Sequence, residues 1–287
     1  MKCTEEEITA LKEKARMIRE TIIRMLVEAG SGHTAGALGM ADIFTALYFH
    51  ILKHDPKNPE WEERDRLVLS NGHICPVLYA AMAHAGYFPV EECLTLRKFG
   101  SRLQGHPERI RLPGLETTSG PLGEGLSQAA GMALVLRDFV NPSSDDGFTK
   151  SKHGRRVYCV MSDGEQEEGN TWEAVMFIGK NKLSNLTAII DRNNIQIDGT
   201  TEKVMPLESL ADKYRAFNWH VIEIDGNDIQ IFIDAVEKAK SVQDKPTLIV
   251  ARTIPGKGVT EIENDYRWHG KVPAKEEGEK FIKALYI

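Results

Sequence analysis

The sequence predicts an α/β fold, a doubly wound and mostly parallel sheet with helices on both faces. Three observations carry this. Five short apolar runs read as strands: RLVLS at 66–70, VYCVM at 157–161, LTAIID at 186–191, HVIEID at 220–225 and TLIVAR at 247–252. Between the later runs the pattern changes to helical spacing, over 170–182 and 229–243, which makes βαβ units. The runs VYCVM and LTAIID are each followed by a polar, glycine-containing loop, at the sheet edge where ligands of open α/β sheets bind.

The remaining elements follow in chain order. Thr4 and Glu7 fit a capping box that opens a helix, with Ile8, Leu11, Ala15, Ile18, Ile22, Met25 and Leu26 at helical spacing and an end near Gly30. SGHTAGALG at 31–39 reads as a glycine-rich loop, and MADIFTALYFHIL as the second helix. A charged, proline-containing loop leads into RLVLS; its WEERDR stretch at 61–66 is most simply a solvated face. The loop NGH precedes an alanine-rich helix from about Pro76 to Ala85. A long irregular stretch covers 98–125, and its glycines and histidines point to function. A small-residue helix begins near Leu126, residues 141–154 read as a surface loop, and a closing helix ends the chain.

Composition narrows the function. The 287 residues are 41% hydrophobic and carry a net charge of −6, which suits a globular chain with a sizeable core and disfavours nucleic acid or an anionic membrane as partner. The N-terminus is charged and helical rather than leader-like, and no apolar run is long enough to span a bilayer. Cys3, Cys75, Cys93 and Cys159 form no C-x-x-C pair and read as reduced thiols, so the expected location is cytoplasmic.

The chemistry is concentrated in two loops, SDGEQEEGN at 162–170 and DRNNIQIDG at 191–199. A parallel βαβ unit brings them to one sheet edge. There Asp163 offers a carboxylate, Asn193 an amide oxygen and Ile195 a backbone carbonyl, a donor set that suits Mg²⁺ or another divalent cation such as Ca²⁺ or Mn²⁺. Gly164 lets the backbone approach a phosphate. The pair therefore reads as a site for a metal and a diphosphate; the alternative is two well-capped turns. His33, His73, His106 and His269 sit in glycine- or proline-flanked loops, SGHTAG, SNGH, GHPE and WHG, a setting suited to phosphate contact and proton transfer. His50, His54, His84, His153 and His220 lack that setting and read as structural or surface residues.

The two loops resemble the thiamine-diphosphate signature, a strand-terminal G-D-G followed about thirty residues later by N-N, with Ser162 in place of the first glycine. Together with SGH, SNGH, GHPE, SGPLGEG and WHG, in this order from about residue 10 to 275, they make the chain resemble the N-terminal, thiamine-diphosphate-binding part of transketolase. The resemblance implies the family's thiamine-diphosphate-binding fold, its diphosphate-binding (PP-type) domain, over 1–287. It implies cofactor contacts at His73, Gly120, Pro121, Leu122, Gly164, Asn193 and His269, and metal ligation by Asp163, Asn193 and Ile195. His33, His106 and His269 would face the substrate, and Glu168 matches a glutamate at the family's subunit interface. The TAG after His33, where many members have P-G, is a departure that bears on substrate preference.

The family's pyrimidine-binding and C-terminal domains have no counterpart in this chain. The resemblance then implies one half of a split transketolase, an α₂β₂ assembly in which a C-terminal partner subunit brings the pyrimidine-binding domain. The reaction implied is transfer of a two-carbon ketol unit between sugars or sugar phosphates. Alternatives are a subunit resembling 1-deoxyxylulose-5-phosphate synthase or a 2-oxoacid dehydrogenase, and a non-catalytic cofactor-binding subunit.

Overall fold

A computed structural model describes residues 3–138 and 154–286. The surface loop expected at 141–154 lies, except for Gly154, outside the described residues, as does His153. Helix α1 spans Glu5–Ala29, opened by the Thr4–Glu7 capping box and closed by Gly30 in the left-handed region at φ 63°. Two short helices follow, α2 (Ala35–Gly39) and α3 (Ala41–Ala46), and a wider π turn continues over Leu47–Ile51. The glycine-rich stretch is thus helical in its second half. Its glycines permit close packing there, since a Cβ on Gly39 would lie 2.9 Å from the Ile254 carbonyl.

Next come β1 (Arg66–Leu69), α4 (Cys75–Ala85) and α5 (Glu124–Asp138). The βαβ unit is β2 (Val157–Ser162), α6 (Gly169–Asn181) and β3 (Leu186–Arg192). The loop after β3 contains a short hairpin, β4 (Ile195–Gln196) and β5 (Gly199–Thr200). The short helices α7 (Thr201–Val204) and α8 (Leu210–Ala216) precede β6 (His220–Asp225), α9 (Ile229–Ser241), β7 (Thr247–Arg252) and α10 (Lys275–Ala284).

Five strands pair in the order β1-β2-β3-β7-β6, all parallel. Alternation along each strand sends side chains to two separate cores. Tyr158, Val160, Ile189 and Ile249 pack with α1, α3, α4 and α9, whereas Val157, Cys159, Met161, Ala188 and Val250 pack with α5, α6 and α8. The doubly wound expectation therefore holds. Between β2 and β3, Ser162 pairs with Asp191, so both strands end level and their loops leave side by side.

The βαβ unit depends on a close approach at Gly179 in α6, where a Cβ would lie 1.9 Å from the Phe217 carbonyl oxygen. Gly179→Ala must push α6 away from the turn before β6. It should cost about 3 kcal/mol and lower the thermal midpoint by several degrees; scanning calorimetry that finds an unchanged midpoint would contradict this packing.

Candidate active site

The ends of β2 and β3 form the floor of a cavity of about 370 Å³. Gly164, Asn193, Ile195 and Gln196 line its floor, His33, His73 and His269 one wall, and Gly120 and Leu122 another, with His106, Glu167 and Glu168 also lining it. Every predicted site residue except Pro121 and Asp163 thus lines one cavity, drawn from loops scattered through the chain. Pro121 instead lines a small neighbouring cleft with Ser70 and Gly125. Asp163 is fully buried among the floor residues rather than lining the cavity.

Hydrogen bonds join the two loops of the floor. The Asp163 backbone N–H donates to the Asp191 carbonyl at 3.2 Å, which extends the β2–β3 ladder one step. The Asn194 N–H donates to Asp163 Oδ2 at 2.7 Å, and the Gly164 N–H donates to Oδ1 at 2.8 Å. The Asn193 amide donates to Asp191 Oδ2 at 2.7 Å, while its own Oδ1 accepts from the Ile195 N–H at 3.0 Å. Asp163 Oδ1 and Asn193 Oδ1 each accept a single hydrogen bond, which leaves each with a lone pair for a hard cation. The donor set fits a divalent metal. A Cβ at Gly164 would meet only Gln196, at 3.6 Å, and one at Gly120 would meet nothing, so the backbone at both positions is open to a ligand.

Arg192 is a participant that sequence reasoning missed. Its buried guanidinium donates to Asp163 Oδ2 at 3.1 Å, to Thr201 at 2.8 Å, to Glu202 at 2.6 Å and to Glu208 at 3.0 Å. Burial pushes the Asp163 and Asp191 carboxyls upward, and Arg192 pulls Asp163 part of the way back. Burial disfavours the ionised form of both acids, and a divalent ion beside them would favour it.

Glu165 is the second omission. Its buried carboxylate accepts from the Ser70 hydroxyl, from the Gly123 N–H at 2.6 Å and from the Ser162 N–H at 3.2 Å, and Ser70 in turn accepts from the Gly125 N–H at 3.1 Å. One side chain thereby ties together the loops that carry His73, Gly120 with Leu122, and Gly164. Nothing in the run EQEE marks which acid turns inward.

The histidine wall is tight. The His33 ring centroid lies 5.0 Å from that of His73 and 5.5 Å from that of His269, and His73 and His269 are 5.2 Å apart. The Thr34 hydroxyl donates to the Lys271 carbonyl at 2.6 Å, which joins the His33 loop to the His269 loop. His33 Nδ1 is buried without a partner. By contrast His54 and His84, which read as structural, bond to Tyr87 at 3.0 Å and to Thr21 at 2.9 Å. Burial, then the neighbouring imidazoles, depress His33 to about 4 and push His73 down as well; burial also lowers His106 and His269. Three close, neutral imidazoles and an orphaned ring nitrogen fit an anionic occupant that has several acceptor oxygens.

The family described as transketolase, thiamine diphosphate binding domain, matches residues 11–286. The chain belongs to the transketolase family. The 6-deoxy-6-sulfo-D-fructose transketolase subunit SqwG of Clostridium sp. is 44% identical, over 89% of this chain and 88% of its own length. One of the subunits of the apulose-4-phosphate transketolase of Phocaeicola vulgatus is 38% identical, over 97% of this chain and 95% of its own. Human transketolase is 37% identical over 98% of this chain, which spans 43% of the human protein. The solved transketolase from Leishmania mexicana superposes with a TM-score of 0.87 at 32% identity, covering 94% of this chain and 40% of the other. Both the fold and the expected kinship with split transketolase subunits are therefore borne out.

The depressed histidines make a pH prediction. His33 stays unprotonated in the folded chain down to about pH 4, while its unfolded counterpart takes a proton below about 6.5. The unfolded state then binds more protons in that window, so stability falls as pH drops from 6.5 toward 4. In His33→Gln that loss should shrink by about 1 kcal/mol between pH 7 and pH 5 after allowance for solvent screening. Urea unfolding at the two pH values checks this, and an identical pH dependence in both chains would count against it.

Proposed function

We propose that this chain is the diphosphate- and metal-binding subunit of a two-chain transketolase, a single domain over 1–287 with a helical N-terminal segment. The observation that carries the reading is the convergence, in one cavity, of the Gly164–Asn193 floor with the His33–His73–His269 wall. On this reading Asp163, Asn193 and the Ile195 carbonyl hold Mg²⁺, or Ca²⁺ or Mn²⁺ in its place, against the diphosphate of thiamine diphosphate. The Gly164 N–H and His73 hold phosphoryl oxygens, and Gly120 and Leu122 pack on the cofactor, with Pro121 holding the turn between them. Bound there, thiamine diphosphate supplies the carbon nucleophile for moving a two-carbon ketol unit from a ketose to an aldose.

The remaining work falls to the chain's own side chains. His33 and His269, neutral near pH 7, can donate a hydrogen bond to a carbonyl oxygen as charge develops on it, and can accept a proton from a hydroxyl. His106 binds hydroxyls at the donor's reacting end. Glu168 is exposed beside the cavity, at the start of α6 and without a capping bond, and is free to meet a partner chain. That partner is a C-terminal subunit with the pyrimidine-binding domain, in an α₂β₂ complex. Substrates are sugars or sugar phosphates, as the names of the SqwG and apulose-4-phosphate relatives suggest. Four free thiols and the absence, among the described residues, of a helix long and apolar enough to cross a membrane support a cytoplasmic setting.

Co-expression with the chain encoded beside it should produce ketol transfer on a panel of ketoses and aldoses, and this chain alone should produce none; robust turnover by the pure single chain would overturn the two-chain reading. Asp163→Ala should weaken Mg²⁺-dependent binding of thiamine diphosphate by about tenfold or more. Calorimetry on the reconstituted complex measures this, and an unchanged affinity would remove Asp163 from the metal site.

A further inference from the structure

Arg97 stands in an unusual position for a long side chain. Its backbone lies in the left-handed region at φ 61°, which costs a non-glycine residue on the order of 1 kcal/mol. The turn that holds it is closed by the Arg97 N–H donating to the Leu103 carbonyl at 2.9 Å, and it is flanked by the fully buried Leu96 and Leu103. The side chain therefore leaves the fold from a fixed point.

Its guanidinium reaches two loops that are far apart in sequence. Nη1 donates to Ser31 Oγ at 3.5 Å, and Nη2 donates to the Gly105 carbonyl at 3.4 Å. Ser31 precedes His33 by two residues, and Gly105 immediately precedes His106. The guanidinium also lies against Gly105 so closely that a Cβ there would be 2.7 Å from Nε and 2.9 Å from Cζ. Any side chain at 105 would displace it.

Three neighbouring cations are paired: Lys98 with Glu28, Arg102 with Glu92 and Arg111 with Glu108. Among the described residues Arg97 has no carboxylate at ion-pair distance. It lines a second cavity, of about 400 Å³, that shares His106 with the catalytic cavity.

We propose that Arg97 is a positioning residue for the transfer reaction, holding the His33 loop and the His106 loop at a set distance across the mouth of the cavity. The inference rests on the functional reading above. The unpaired cation also acts on the two rings it spans. Burial is the larger cause of the depressed affinity of both for protons, and Arg97 adds to it at each. His33 faces His73 and His269 as well as Arg97 and His106; Glu167 and Glu168 are the acids that line the same cavity. Arg97 thus adds to the burial that favours neutral imidazoles, able to donate and accept, at both rings.

Two variants separate geometry from charge. Arg97→Met removes both, and Arg97→Lys keeps the charge but loses the planar fork that spans two loops. In the reconstituted complex each should lower kcat/KM by about tenfold, the cost of mispositioned substrate contacts. Removing a positive charge favours imidazolium, so in the Met variant the acid limb of the pH–rate profile should move to higher pH, while the Lys variant should keep the wild-type limb. NMR titration of the His33 and His106 rings in this chain, which needs no turnover, should show the same difference. If the complex has no ketol transfer, the functional reading fails while the titration still decides the role of Arg97. Wild-type titration of both rings in Arg97→Met, or wild-type kcat/KM in both variants of an active complex, would overturn the proposal. Because the Arg97 side chain is exposed, unchanged thermal midpoints are expected for both variants.

Discussion

Three loops of the candidate site depend on one buried carboxylate. Glu165 has no charge partner at ion-pair distance among the described residues, and burial raises its pKa, yet three donors converge on it. A buried acid is costly unless its lone pairs are met, and here they are met by groups from three separate stretches of chain. Satisfying Glu165 and placing the loops are therefore the same event. Removing the carboxylate would strand a hydroxyl and two N–H groups at once. Each would bear its own desolvation cost of about 1–3 kcal/mol.

The strands supply the other half of the constraint. Because β2 and β3 are parallel and in level register, both loops must leave the same edge, and the Asp163–Asp191 backbone bond carries that register into the site. The sheet sets where the floor lies, and Glu165 sets where the walls stand on it. The His33 and His269 loops are attached separately, through Thr34 and the Lys271 carbonyl. Rigid strands, a satisfied acid and one hydroxyl bond thus bring together residues from Ser31 to Lys271.

Much of this is legible in the sequence, for physical reasons. The central strands β2, β3 and β7, buried on both faces, read as continuous apolar runs, and all five strands lie within about two residues of their sequence-expected places. The capping box and Gly30 mark both ends of α1 because they meet backbone needs that recur at every helix end. The site loops show themselves through glycines and histidines, whose chemistry is local. What stays hidden depends on tertiary contact. Glu165 is one acid in the run EQEE, and Arg192 is one cation between Asp191 and Asn193; neither shows its burial in one dimension. The helical half of SGHTAGALG reads as loop because glycine is a poor helix former, whereas here packing against the Ile254 carbonyl outweighs propensity. Ser31 and Gly105 are equally plain in the sequence, and only the fold shows that Arg97 lies between them.

The charges of the site bear on what it can hold. The floor holds two buried acids and one buried guanidinium, and its wall is three neutral imidazoles. With either acid ionised, such a cavity would disfavour a bare diphosphate at the floor, and the wall would offer it only neutral donors. A divalent cation held by Asp163, Asn193 and the Ile195 carbonyl would supply the positive charge that the floor lacks. On the functional reading proposed above, metal, diphosphate and this chain would be mutually dependent, since each would neutralise what the other two leave exposed. Arg192 sharpens the dependence. With Arg192 and the Asn194 N–H both on Asp163 Oδ2, Oδ1 is the oxygen of that acid that would be offered to a metal.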